Sequence, residues 1–186
     1  YLSGLLRQLE LACPIIVGEN GGEAQIGGCL PPEKFMFAQV SKQKMRQLNW
    51  IKQKLSSIKQ ANFWFQNNRY SISPFIRSEQ DAKIIENFLI KHKNKLKGLK
   101  VYRHSAGFDI LPEEISKKTG LQNLLKMLEI SPQEIVAVGD GTNDYPMFEL
   151  AGYSVGINIK DADKVNINFD TIEKAMEHII RILNNF

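Results

Sequence analysis

Two carboxylates, Asp140 and Asp144, stand four residues apart at the end of an apolar run, in the segment Val136-Ala137-Val138-Gly139-Asp140-Gly141-Thr142-Asn143-Asp144. Carboxylates are hard oxygen ligands, and Mg²⁺ is typically held by one or two of them together with water and phosphate oxygens. Gly139 and Gly141 let the backbone turn tightly and come close to a ligand. An Asp/Asn/Gly turn with capping carboxylates carries the same residue types and is a common surface feature. What separates this segment from such a turn is its place, after a buried strand and before a helix. In open α/β sheets that is where ligands bind.

The second chemical element is Lys117, in Ile115-Ser116-Lys117-Lys118-Thr119-Gly120-Leu121. It falls at a helix start, with Ser116 as the cap. The helix macrodipole disfavours an ammonium there. The position makes sense if the lysine reaches an anion that the helix end also attracts. The plain alternative is a surface lysine, which describes Lys118. Lys117 with Asp140 and Asp144 thus reads as a site for a hard cation such as Mg²⁺ beside an anion.

These residues need strands and helices to bring them together. After Pro112 the pattern reads helix over Ser116–Leu128, strand over Ile135–Val138, loop over Gly139–Asp144 and short helix over Pro146–Ala151. A strand over Tyr153–Ile157 and an amphipathic helix over Thr171–Leu183 close the chain. Alternation of helix with buried strand is the grammar of a parallel α/β sheet. At the other end, Leu2–Leu11 reads as helix. Cys13–Val17 reads as a buried strand stopping at Gly18-Glu19-Asn20-Gly21-Gly22, and Glu23–Leu30 as a further strand or hairpin closed by Pro31-Pro32.

The middle reads differently. Met45, Leu48, Ile51, Leu55 and Ile58 recur at helical steps over Ser41–Ile58. Two strands follow, Ala61–Gln66 and Arg69–Ile76, with Asn67-Asn68 as a two-residue hairpin turn. Glu79–His92 is a second amphipathic helix with Ile84, Ile85, Phe88 and Leu89 inward, and Leu99–Arg103 and Gly107–Leu111 are strands. This order describes one sheet with two helices on one face.

The 186 residues carry 43% hydrophobic and 24% charged side chains, as an ordinary globular protein does. No apolar run approaches the ~18 residues of a membrane span, and residues 1–11 lack the pattern of a signal peptide. Cys13 and Cys29 have neither CxxC nor metal-ligand spacing and read as reduced thiols of a cytoplasmic protein. The net charge of +4 suits an acidic partner. A nucleic-acid face would use Lys42, Lys44, Arg46, Lys52 and Lys54 with Trp64, Phe65 and Tyr70, but those aromatics lie on strands that need a core. The expectation is no nucleic acid and no membrane.

The combination ISKKTGLQNLL…VGDGTNDYPMFELAGYSVGI resembles the haloacid dehalogenase superfamily phosphatases of the Cof type, nearest to archaeal phosphoglycolate phosphatases and sucrose-phosphate-phosphatase-like relatives. Lys117 matches the family's phosphate-binding lysine. Asp140 matches the acidic metal ligand of its last motif, and Asp144 the second acid, which ligates metal or orients the lysine. Asn143 matches the polar residue that touches phosphate or metal-bound water. Glu19-Asn20-Gly21-Gly22 resembles the ENGG loop, where core strand passes to cap, and adds Asn20 to the phosphate-binding set. The resemblance implies a Rossmann-like α/β core, residues 1–26 and 109–186, interrupted by a mobile α+β cap, residues 27–108. That cap would read the leaving group through one or two of Arg69, Arg77, Arg103 and His104.

The family's nucleophile, the first Asp of an Asp-x-Asp motif on a first strand, has no counterpart at the expected place. Asp161-Ala162-Asp163 fits surface carboxylates at a helix start better than a relocated nucleophile. A chain that begins with Tyr1 is expected to be a fragment of an active phosphatase, lacking at least one βα unit of roughly 30 residues. The implied function is Mg²⁺-dependent hydrolysis of a small phosphorylated metabolite, phosphoglycolate or a sugar phosphate. The alternative is a catalytically inactive phosphate-binding or interaction module.

Overall fold

A computed structural model of the chain describes residues 8, 15–27, 33–61 and 63–184. The expected helix over residues 2–11 and both cysteines lie outside the described residues, apart from Gln8. The chain falls into two compact units, residues 1–115 and residues 116–186.

In the first unit, β1 (Ile16–Gly18), β2 (Glu23–Ile26) and β3 (Lys34–Phe37) form an antiparallel sheet in that order. The expected strand or hairpin after the glycine-rich loop is β2. β3 was not expected. Its Phe35 and Phe37 are nearly half exposed and stack on each other at 5.9 Å, so the run lacks the apolar-in, polar-out alternation by which a half-buried strand is read.

α1 (Lys42–Ser56), β4 (Trp64–Phe65), β5 (Pro74–Phe75), α2 (Glu79–Lys91), β6 (Leu99–His104) and β7 (Gly107–Pro112) follow in the expected order. Ser41 caps α1 and Ser78 caps α2, each accepting a backbone N–H three residues on. The sheet order is β4-β5-β7-β6. Leu48, Ile51 and Leu55 of α1 and Ala82, Ile85 and Phe88 of α2 pack in one cluster with Phe108 and Ile110 of β7. Both helices therefore cover one face, as the period-2 alternation of β7 requires. The antiparallel sheet keeps β7 through Pro112.

The two-residue hairpin turn is a correction. Trp64 pairs with Phe75 and Phe65 with Pro74, and the Gln66 N–H donates to the Ser73 carbonyl at 3.1 Å. The loop runs over residues 67–72, because Ile72 is drawn into a bridge with Ile110 of β7.

In the second unit, β8 (Val136–Gly139), β9 (Tyr153–Ile157) and β10 (Ile167–Phe169) form a parallel sheet in the order β10-β9-β8. α3 (Lys117–Leu128) precedes β8, α4 (Tyr145–Phe148) follows it and α5 (Ile172–Leu183) closes the unit. On one face Ala137 packs with Phe148 and Ile159; on the other Val155 packs with Ala175 and Ile179 of α5. β10 was not expected, because Asn166 and Asn168 interrupt its apolar residues. Both amides serve the backbone instead. Asn166 accepts from Ser154 N–H at 2.8 Å, and Asn168 exchanges hydrogen bonds with Ile159 at 3.1 and 2.8 Å.

Ile110 is fully buried where both helices meet the sheet, whereas Ile90 on α2 is 75% exposed. Ile110→Ala should cost about 2–5 kcal/mol, and Ile90→Ala less than about 0.5 kcal/mol. Urea midpoints of the two variants check this.

Candidate functional site

The loop from β8 to α4 is organised around one buried carboxylate. Asp144 is 2% exposed. It lies in a 3₁₀ turn, Thr142–Asp144, and its own N–H donates to the Gly141 carbonyl at 3.0 Å. Its Oδ2 accepts the backbone N–H groups of Asp140 at 3.1 Å and Gly141 at 3.0 Å. Its Oδ1 accepts from the Lys117 ammonium. A buried charge needs such pairing and hydrogen bonding to offset the loss of water.

This geometry dictates the glycine at the strand end. A Cβ on Gly139 would lie 2.5 Å from the Asp144 Cγ, inside contact distance. Gly139 is therefore required by close approach of the carboxylate.

Lys117 is the first residue of α3. Ser116 caps the helix through a reciprocal box with Thr119: the Ser116 hydroxyl accepts the Thr119 N–H at 3.1 Å and the Thr119 hydroxyl accepts the Ser116 N–H at 2.9 Å. The anion that makes an ammonium acceptable at this helix start is Asp144 of the same chain. The Lys117 side chain remains about one third exposed. Lys118 pairs with Glu149 at 3.2 Å on the surface, as its reading as a surface lysine implies.

Asp140 contrasts with Asp144: it is exposed. Asn143 is half-buried in the same turn. The structure thus brings Lys117, Asp140, Asn143 and Asp144 into one loop system of the second unit. Asn20 belongs to the first unit, where its amide donates to Asp109 at 3.2 Å.

The donor set fits a hard divalent cation through Asp140. Its carboxylate is accessible, while both oxygens of Asp144 already accept from protein donors, and Mg²⁺ needs only one or two protein carboxylates. Among the described residues no group of three or more His, Cys, Asp or Glu side chains is placed to hold a metal.

Asp161 precedes a surface 3₁₀ turn, Ala162–Lys164, and Asp163 lies within it. Asp161 accepts the Tyr145 hydroxyl at 3.0 Å. Partial desolvation, and then this carboxylate, hold the phenol above the usual tyrosine range, so it stays a donor. Among the expected cap readers, Arg103 pairs with Glu79 at 2.9 Å and Glu86 at 2.5 Å. Arg69 lies over the Phe37 ring at 4.6 Å.

The bonding partners of two carboxylates, Glu19 and Asp109, escaped the sequence reading. Glu19 accepts the backbone N–H groups of Arg69 and Tyr70, and Asp109 accepts from Asn20 and Ser73. Their partners lie 36 to 89 residues away in sequence, beyond any local pattern.

A sequence profile of haloacid dehalogenase-like hydrolases matches residues 9–177. An uncharacterized hydrolase of Schizosaccharomyces pombe is 48% identical over 52 residues, 27% of this chain and 17% of that protein. A phosphoglycolate phosphatase of Haloarcula marismortui is 36% identical over 61 residues, 33% of this chain and 27% of that protein. The chain therefore spans less than a third of these curated relatives. The crystal structure of Thermoplasma acidophilum 0175 has the same fold, with a TM-score of 0.73 over 100% of this chain and 79% of that one, at 16% identity.

Removing the buried carboxylate and removing the exposed one should differ sharply. Asp144→Ala leaves an ammonium and two N–H groups without their acceptor and should cost about 2–3 kcal/mol, less than for a fully buried pair because Lys117 is partly solvated. Asp140→Ala should stay within about 0.5 kcal/mol of the parent. Urea unfolding of both variants tests this, and equal costs would overturn the assignment of Asp144 as the organising group.

Proposed function

The chain belongs to the haloacid dehalogenase-like hydrolases, and we propose that it carries the phosphate- and metal-binding part of a phosphatase acting on a small phosphorylated metabolite. One observation carries this reading: the Lys117–Asp144 pair stands beside the exposed Asp140 at the carboxyl end of a parallel strand. Phosphoglycolate is the first choice of substrate, since a relative bears that name. A sugar phosphate is the near alternative.

In this reading the Lys117 ammonium, held by Asp144, binds phosphoryl oxygens and neutralises charge that builds during transfer. Asn143 adds an amide donor to the same oxygens. Asp140 would hold Mg²⁺, with Asp144 behind it, and the bound ion would supply charge neutralisation at the phosphate. The nucleophile is an aspartate supplied from outside residues 1–186, forming an aspartyl-phosphate. Residues 1–26 and 109–186 serve as the core and residues 27–108 as the inserted cap, with the cytoplasm as the compartment. No helix of the described residues is long and apolar enough to cross a membrane.

The full-length protein should hydrolyse phosphoglycolate with Mg²⁺ and stop when the metal is chelated. Asp140→Ala should lower kcat/KM by about 10²–10³-fold or more while its thermal melt stays unchanged. Retained activity in Asp140→Ala would sink the metal assignment. Saturable binding of phosphoglycolate without any turnover would point instead to an inactive phosphate-binding module.

A further inference from the structure

Helix α1 holds five Lys and Arg residues, and residues 91–100 hold five lysines. All 20 Asp and Glu residues of the chain lie outside these two segments. Cations crowded together repel one another, yet the structure sets the two segments side by side. The Gln47 amide of α1 donates to the Lys95 and Lys97 carbonyls, each at 3.3 Å. Leu96 packs on the core cluster of α1 and α2. The 3₁₀ turn Lys93–Leu96 is thereby fixed against α1.

A cleft of about 220 Å³ lies here, lined by Gln43, Arg46, Gln47, Trp50 and Lys95. Trp50 is half-buried, and its ring packs edge-on to His92 at 5.3 Å and tilted to Phe88 at 6.1 Å. Both cations of the lining are exposed. Lys44, on the same helix, pairs with Glu114. Among the described residues the side chains of Arg46 and Lys95 have no ion-pair or hydrogen-bond partner.

We propose that this cleft binds a small ring-bearing phosphate of the nucleoside monophosphate class. The base takes the indole wall, because stacking on an aromatic side chain accepts any base. The phosphate takes Arg46 and Lys95, where a guanidinium suits its oxygens and the bound anion relieves the repulsion between the two cations. Gln43 adds an amide that can donate or accept. The cleft belongs wholly to the first unit and shares no residue with the Lys117 and Asp140 loop, so the inference does not depend on the phosphatase reading.

Titration of the protein with AMP in the presence of EDTA, followed by two-dimensional NMR, tests it. The probe is the indole N–H signal of Trp50, assigned by its loss in Trp50→Phe. That signal should move saturably, and AMP should bind about fivefold or more tightly than ribose 5-phosphate. Arg46→Ala combined with Lys95→Ala removes two exposed side chains and should weaken AMP by about tenfold or more. Lys54→Ala takes a cation from the same helix but not from the cleft lining, and should change the affinity by less than about twofold. No saturable movement at Trp50, or unchanged binding in the double variant, would overturn the site. So would a loss in Lys54→Ala equal to that in the double variant, the mark of diffuse attraction to a basic face. Ribose 5-phosphate binding as tightly as AMP would overturn the role of the indole and with it the proposed ligand class.

Discussion

The loop between β8 and α4 depends on the desolvated carboxylate of Asp144. A charge buried to 2% exposure must be met by donors from every side, and three converge on it: the Lys117 ammonium and the N–H groups of Asp140 and Gly141. Meeting that demand curls the backbone over residues 140–144 and forbids a side chain at Gly139. It also brings the start of α3 to the end of β8. The same curl turns Asp140 outward. One acid is consumed in building the loop, and the other is left available.

Carboxylates do similar work in the first unit. Glu19 and Asp109 bond partners 36 to 51 residues away where the strands are too short to hold the loop by backbone pairing. A carboxylate accepting two backbone N–H groups is a stronger tie than a neutral hydrogen bond, and it can stabilise a turn whose left-handed residues disfavour it. Both units thus use an acid as an internal strut, at Asp144 in one and at Glu19 in the other.

Periodicity made most of the fold legible. The helices at α1, α2, α3 and α5 bury one face at helical spacing and the strands β6 to β9 are short apolar or alternating runs, and both signals are written locally. β3 and β10 were not legible, for opposite reasons. Phe35 and Phe37 put apolar rings where solvent reaches, and Asn166 and Asn168 put amides where apolar residues would be expected. The loop over residues 67–72 was misread as a tight turn because the bridge of Ile72 to Ile110 is a tertiary choice. At the site, residue types and spacing pointed to Lys117, Asp140 and Asp144, and the family resemblance added Asn143. They did not reveal that Asp144 satisfies the lysine, since hydrogen-bond partners across 27 residues leave no local trace.

The Lys117–Asp144 pair also separates a stability argument from a functional one. A desolvated ion pair is often no more stabilising than well-packed apolar residues of similar volume, so stability alone does not account for a lysine and an aspartate at these positions. The cost of burying Asp144 is offset by three donors, yet one of them, Lys117, keeps a third of its side chain in solvent. A pair built for packing would close over both partners. This one buries the acid and leaves a third of the lysine side chain in solvent, at a helix start beside a loop that bears an exposed carboxylate. The proposed role in binding a phosphate with its metal ion rests on that combination.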